Sequence, residues 1–127
     1  MNDEQYLTYC REQLSEFATE LLLRTKHLPE KDSLRNLAEA FRSLADGELD
    51  LYADGPAQIS RLFTTYPDFA PTFPRDLLWF FGGDCLHFMP DPEIAMYQQL
   101  EDLRTEACAR GETLDLRAAR ASLRGLQ

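Results

Sequence analysis

Apolar residues in the first part of the chain recur at alternating intervals of three and four, which is the period of an amphipathic α-helix. The stripe consists of Leu7, Cys10, Leu14, Phe17 and Leu21. Asn2 or Asp3 is placed to cap this helix, and Pro29 predicts that it ends near Lys26 or His27. The pattern therefore predicts a long first helix with one face turned to a core.

Two further segments repeat this period between capping residues. A second helix is predicted to begin at Asp32 or Ser33 and to end at Gly47. A third is predicted to begin at Asp54-Gly55-Pro56, with Pro56 at the first helical position, and to end at Pro67. Their apolar stripes are Leu34, Leu37, Ala38, Phe41, Leu44 and Ala45, then Ile59, Leu62, Phe63 and Tyr66. The three prolines in residues 67–74 predict an irregular, extended connector.

The block from Pro74 to Met89, PRDLLWFFGGDCLHFM, is the most apolar part of the chain. Its run of large side chains shows no period of two, so a helix is favoured over a strand. The adjacent glycines Gly82 and Gly83 cost about 2 kcal/mol of helix propensity, so the helix either breaks there or is packed closely by a neighbour. We predict one unbroken helix over 74–89.

Two more helices are predicted after this block. One runs from Asp91-Pro92 to Arg110, and Gly111 ends it. Its inward positions are Ile94, Tyr97, Leu100, Leu103 and Ala107. The last helix, capped by Thr113 or Asp115, combines apolar Leu116, Ala119, Leu123 and Leu126 with basic Arg117, Arg120 and Arg124. The pattern as a whole predicts an all-α protein, with residues 1–127 as a single domain of five to six helices in an orthogonal or irregular bundle.

The net charge limits the kinds of partner that the protein can bind, and the cysteines indicate its cellular compartment. The chain carries 22 acidic and 13 basic residues, a net charge of −9. Such a surface argues against nucleic-acid and membrane binding, and it favours a basic partner. The three cysteines, Cys10, Cys85 and Cys108, are widely spaced and form no CxxC pair. Together with an acidic N-terminus that does not resemble a signal peptide, they predict reduced, buried thiols in a cytoplasmic protein.

Asp84, Cys85 and His87 are the candidate ligand or polar site, because they supply donor types used by metal sites and by thiolate nucleophiles. The alternative is a local Asp–His pair, with Cys85 packed in the core. No phosphate-binding loop, zinc-binding motif or nucleophile motif is found. The sequence therefore assigns no catalytic residue, no cofactor and no metal site, although a small enzyme or metal or ligand binder centred on these three residues stays the alternative function.

The acidic stretch 46–54 lies between two predicted helices, and its spacing resembles that of a calcium-binding loop. Leu51 and Ala57 stand where such a loop needs glycine and glutamate. The stretch is therefore predicted to be a solvated acidic loop.

The aromatic residues of the central block favour interaction over catalysis. Phe73, Trp79 and Phe80 form the candidate interface, because a helix that is apolar all round is either fully enclosed or partly presented to a partner. The favoured function is a non-catalytic protein–protein interaction or adaptor domain, with an apolar groove beside helix 74–89. The partner is predicted to be a basic protein or a second copy of the chain. An acidic mimic of nucleic acid is the least favoured alternative.

Two resemblances bear on this block. Residues 76–110 resemble a single tetratricopeptide unit in the spacing of Trp79, Gly83 and Ala95, but Gln99 replaces an aromatic residue and no second copy follows. That resemblance implies a helical hairpin of the kind that builds peptide-binding grooves. The segment PRDLLWFFGGDCLHFMPD is also similar to an uncharacterised family of small bacterial helical proteins, which implies no activity.

Overall fold

The computed structural model describes residues 2–125, with the side chains of residues 2–123, and all regular structure in this part of the chain is helical. The α-helices are α1 (Asp3–Thr25), α2 (Ser33–Asp46), α3 (Leu51–Thr65), α4 (Arg75–Phe81), α5 (Asp91–Ala109) and α6 (Leu116–Gly125). Two 3₁₀ helices, Ala70–Thr72 and Gly83–Phe88, flank α4. The all-α prediction is confirmed, but there are more helical segments than the five to six predicted. The predicted contributions of Leu126 and of the Arg124 side chain lie outside the described residues.

Contacts between Cα atoms group the described residues into two compact units. Unit 1 comprises residues 2–9 and 89–125, and in it α5 packs against α6. Unit 2 comprises residues 10–88, and in it α3 packs against α2, α4 and the 3₁₀ helix Gly83–Phe88. None of the described helices combines the length and the apolar content that crossing a bilayer requires. The single domain and the bundle geometry predicted for the whole chain stay predictions.

Three phenylalanine rings form the centre of the unit 2 core. Phe17 of α1 lies 5.3 Å from Phe41 of α2 and 5.0 Å from Phe73, measured between ring centroids. Both contacts are edge-to-face, the arrangement that aromatic quadrupoles favour. The surrounding fully buried side chains are Cys10, Leu14, Leu21, Leu37, Leu44, Ile59, Leu62, Leu77 and Leu78. The apolar stripes predicted for α1 and α2 therefore form this core, except that Leu7 is half-buried in unit 1 and Ala45 is half-buried in unit 2.

Both ends of α2 are confirmed as predicted. The Asp32 carboxylate accepts a hydrogen bond from the backbone N–H of Leu34. At the other end Gly47 adopts φ 83°, and its N–H donates to the carbonyl of Leu44. A side-chain cap and a left-handed glycine satisfy backbone groups that the helix leaves unpaired, so these ends are determined locally.

The predicted start of α3 is wrong, because the helix begins one turn earlier, at Leu51. Asp50 Oδ1 accepts hydrogen bonds from the N–H groups of Tyr52 and Ala53, each at 3.0 Å. Asp54 Oδ2 in turn accepts one from the Asp50 N–H. These reciprocal caps start the helix before Pro56, which is held inside it although it cannot donate to the Tyr52 carbonyl. The stretch 46–54 is therefore not one acidic loop, since residues 51–54 form the first turn of α3.

The unbroken helix predicted over 74–89 is also wrong. Helix α4 ends at Phe81, and Gly82 and Gly83 adopt φ values of 62° and 51°. Two successive residues in the positive-φ region end an α-helix, and glycine adopts this region without the steric cost that a Cβ imposes. The resemblance to a tetratricopeptide unit is not supported, because Trp79 and Gly83 lie on different elements.

In unit 1 the predicted inward position of Leu103 is wrong. Leu103 is 37 % exposed, whereas its neighbour Arg104 is only 8 % exposed. The Arg104 guanidinium donates to Asp3 at 3.1 Å and to Glu101 at 2.5 Å, and it lies over the Tyr6 ring. The long apolar stem of arginine can be buried when its charged end finds acidic and aromatic partners. A charged residue, Arg104, therefore occupies one of the buried positions of α5.

Candidate functional site

The candidate polar residues Asp84, Cys85 and His87 all lie on the 3₁₀ helix Gly83–Phe88. Asp84 Oδ1 is 4.0 Å from His87 Nε2, and these side chains are 101 % and 81 % exposed. Cys85 is buried in unit 2. Asp84 and His87 therefore form an exposed pair, while the Cys85 thiol points into the core, so the three side chains do not converge on one centre.

Burial raises the pKa of the Cys85 thiol, and the negative charge of Asp84 raises it further. Both effects disfavour the thiolate, which is the reactive form of cysteine. Among the described residues, no group of three or more histidine, cysteine, aspartate or glutamate side chains is arranged to hold a metal ion.

The three free cysteines differ in accessibility, and this gives a first testable prediction. Cys10 and Cys85 are buried, as predicted, but Cys108 on α5 is exposed. We expect iodoacetamide to modify Cys108 alone in the folded protein near neutral pH, because the other two thiols are shielded and the raised pKa of Cys85 leaves it protonated. Mass spectrometry of intact protein and of its peptides measures the adducts. Unfolding in denaturant should expose all three, and rapid labelling of folded Cys85 would contradict the prediction.

The candidate interface residues occupy different environments. Phe73 is 1 % exposed and lies among Phe17, Phe41 and Phe63, so it offers no accessible surface to a partner. Trp79 and Phe80 on α4 are half-buried. The accessible part of the candidate interface is therefore confined to α4.

An aromatic residue that the sequence reasoning missed extends this part of α4. Tyr52, on the first turn of α3, is 61 % exposed, and its ring centroid lies 5.7 Å from that of Phe80. Phe80 in turn lies 5.1 Å from Phe81. We call Tyr52, Phe80 and Phe81 the aromatic surface. A helix that starts at Asp54, as the sequence predicts, leaves Tyr52 in a loop. The spacing of Asp50 and Asp54, which is that of two reciprocal caps, is the sequence feature that indicates a start at Leu51 and places Tyr52 on the helix.

Gly55 allows α3 and α4 to approach each other beneath the aromatic surface. A Cβ atom at this position would lie 2.5 Å from Phe81 Cε1, well inside van der Waals contact. The Phe81 ring therefore rests on bare backbone of α3. The choice of glycine here follows from close packing, since Gly55 lies within a helix and has no positive φ.

A groove adjoins the aromatic surface along α3. It has a volume of about 340 Å³, and its lining comes from α3 and the 3₁₀ helix Gly83–Phe88. The lining residues are Pro56, Ala57, Ser60, Asp84, Cys85 and Phe88. The Phe88 ring stacks on Phe63 at 4.5 Å, which holds the groove wall in place. We call this feature the α3 groove; its lining is partly apolar and partly polar, and the exposed Asp84 carboxylate is its charged lining residue.

Carboxylates surround the N-terminus of α3. The segment 46–54 contains four acidic residues and no basic one. Asp46 pairs with Arg42 at 2.7 Å, and Asp50 and Asp54 cap the helix. Glu48, Asp50 and Asp54, which we call the acidic turn, therefore place negative charge beside Tyr52.

A buried polar pair joins α1 to the start of α4. Gln13 Nε2 donates a hydrogen bond of 3.1 Å to Asp76 Oδ2, and both residues are buried in unit 2. Buried polar groups are costly without a partner, so this bond fixes the position of the α4 N-terminus relative to α1. The periodicity gave no signal for either residue, because polar side chains at buried positions break the apolar stripe.

Comparison with family models gives a match over nearly the whole chain. A family model described as PA2817-like matches residues 5–126, in agreement with the resemblance to an uncharacterised helical family. No curated protein and no solved structure matches the chain.

Proposed function

Since the chain belongs to the PA2817-like family, and membership alone implies no activity, we propose from its geometry that it is a non-catalytic interaction protein. It binds a partner protein through the aromatic surface and the adjoining α3 groove. The observation that carries this proposal is the 61 % exposure of Tyr52, a large aromatic side chain supported by Phe80 and placed beside the α3 groove.

The chemistry of this surface is that of a protein contact. Aromatic residues dominate the energetics of protein interfaces, because they bury a large area at a low cost in side-chain entropy. The Tyr52 ring is held against Phe80, and Phe81 is seated on Gly55, so the rings are ordered before a partner arrives. A preorganised surface loses less entropy on binding than a mobile one.

The α3 groove supports binding more than catalysis. Its lining includes Cys85, a buried residue whose raised thiol pKa disfavours the nucleophilic thiolate. Asp84 lies at the groove, but its partner His87 is not among the lining residues. The groove therefore offers shape and a single fixed charge, which suit recognition of a side chain.

The proposal is tested by affinity capture of the tagged protein from its own cells with two variants. We expect at least one protein captured by the wild type to be lost with Tyr52→Ser, because this change removes the exposed ring and leaves the core intact. Leu23→Ser is the matched control, since Leu23 is 55 % exposed but lies on α1, which contributes no residue to the aromatic surface or to the α3 groove. Quantitative mass spectrometry compares the three captures.

The variants must first show the far-ultraviolet circular dichroism and thermal midpoint of the wild type, which separates loss of binding from loss of folding. A capture profile that is identical for the wild type and Tyr52→Ser would contradict the proposal. So would equal losses with Tyr52→Ser and Leu23→Ser, because the contact would then not depend on the aromatic surface.

A further inference from the structure

We propose that the partner segment bound by this surface is a short extended peptide stretch with an apolar anchor between basic residues. The inference rests on the proposed function and adds the chemistry of the partner. It is carried by the arrangement of charge, because carboxylates lie at both ends of an apolar path along α3.

The first end of the path is the acidic turn. Asp50 accepts the backbone N–H groups of Tyr52 and Ala53, and Asp54 accepts that of Asp50, so both carboxylates are held in place beside Tyr52. The positive end of the helix dipole offsets part of their charge, but Glu48 adds another exposed carboxylate. Arg42 is already engaged by Asp46. A basic residue of the partner is therefore favoured next to Tyr52.

The second end is Asp84 at the α3 groove. Its carboxylate is fully exposed, and the basic group beside it is His87, at 4.0 Å. An arginine or lysine of the partner placed here would meet the Asp84 carboxylate while the preceding side chain entered the groove. The anchor itself is apolar, because Pro56, Ala57 and Phe88 line the groove that it would enter.

The stretch of α3 from Tyr52 to Ser60, a residue that lines the groove, sets the length of the segment. Tyr52 and Ser60 lie eight residues apart on α3, which corresponds to about 12 Å at the rise of an α-helix. An extended chain covers about 12 Å with roughly four residues. A partner segment of about this length would span α3 from Tyr52 to Ser60, with its apolar anchor at the α3 groove.

The same charges disfavour a second copy of this chain as the occupant. Each copy carries a net charge of −9, and a self-contact at this surface would bring the acidic turn or Asp84 near further carboxylates. Complementary charge also steers encounter and selects among apolar segments, whereas burial of the anchor provides most of the affinity.

The test uses the full chain and a fluorescein-labelled synthetic peptide with arginines at both ends of a leucine-phenylalanine core. Fluorescence anisotropy measures binding at low salt, and amide chemical shifts locate the bound peptide. We expect binding, with the largest shifts in residues 48–60 and 80–88. A peptide with glutamates in place of the arginines is the probe control, and we expect it to bind at least tenfold more weakly.

Variants separate this inference from the proposed function. Glu48→Gln and Asp84→Asn should each lower the affinity for the arginine peptide about two- to fivefold at low salt, the range expected for the loss of an exposed ion pair. Most of that difference should vanish at high salt, since exposed charges are screened. Tyr52→Ser should reduce binding of any ligand of this surface at all salt concentrations.

The outcomes have distinct meanings. If the glutamate peptide binds as tightly as the arginine peptide and Tyr52→Ser weakens both, the cationic partner is overturned while the interaction surface stands. If Tyr52→Ser leaves binding of both peptides unchanged, both proposals are overturned at this site. A wild-type dimer in sedimentation equilibrium that dissociates with Tyr52→Ser would show that a second copy is the occupant, and would also overturn the cationic partner.

Discussion

Phe73→Ala is expected to lower the free energy of unfolding by about 3–5 kcal/mol, the largest effect of any single substitution discussed for this protein. Phe73 is 1 % exposed, and its ring centroid lies within 6.0 Å of those of Phe17, Phe41 and Phe63. Truncation removes the contacts of a whole ring and leaves a cavity that three neighbouring rings cannot fill without leaving their own positions. Guanidinium chloride unfolding followed by circular dichroism measures the change.

Tyr52→Ala is the matched control, since it also removes one aromatic ring but at an exposed position. We expect its cost to stay below about 1.5 kcal/mol, the range for a single surface aromatic pair. Comparable losses in the two variants would contradict the assignment of Phe73 to the core and of Tyr52 to the surface. The contrast also tests whether Phe73, one of the three residues of the predicted interface, belongs to the core and not to the binding surface.

Gly55→Ala is expected to cost about 1–3 kcal/mol, although alanine is the better helix former. At an exposed helical site this change would stabilise the helix by about 1 kcal/mol. Here the new Cβ would lie 2.5 Å from Phe81 Cε1, so the ring must leave its seat on α3 and give up its contact with Phe80. Chemical unfolding measures the free energy of unfolding. We also expect the rings of the aromatic surface to be arranged differently from those of the wild type.

A double-mutant cycle with Phe81→Ala isolates this contact. Without the Phe81 ring, Gly55→Ala meets no obstacle and should stabilise the protein by up to about 1 kcal/mol. The sign of the Gly55→Ala effect therefore reverses between the two backgrounds. An equal effect in both backgrounds would show that the Phe81 ring does not rest on Gly55.

The sequence predicted those elements whose determinants are local. The stripes of α1 and α2 and the caps Asp32 and Gly47 depend on residues within a few positions of one another, so periodicity and capping rules place them. The same rules identified Asp115 as one of two candidate caps of α6, and its carboxylate accepts from the N–H of Ala118. Interactions between residues close in sequence are sufficient to predict these helices and caps.

The rules failed where two local signals competed. At α3 the Asp54-Gly55-Pro56 start signal competed with the caps made by Asp50 and Asp54, and the earlier start satisfies more backbone N–H groups. At Gly82-Gly83 apolar content favoured a continued helix, but the backbone freedom of glycine allowed the chain to turn. Periodicity alone does not decide between such alternatives.

The candidate site was predicted only in part, because its surface depends on long-range packing. The sequence predicts Phe80 as an interface residue and Asp84 as a polar-site residue, and both lie at the proposed binding surface. It did not bring Tyr52 to Phe80, and it did not separate the buried Phe73 from the accessible residues of α4. Those relations depend on how α3 and α4 are packed together.

Composition, period and caps act over a few residues at a time, and they are sufficient to predict a helical, acidic protein organised around aromatic residues. The packing of the helices is needed to show which of those residues are accessible, where Gly55 lets Phe81 approach, and which of Leu103 and Arg104 is buried. The physical reason is that burial depends on contacts between segments distant in sequence. A side chain's neighbours, and hence its function, are known only when those segments are packed.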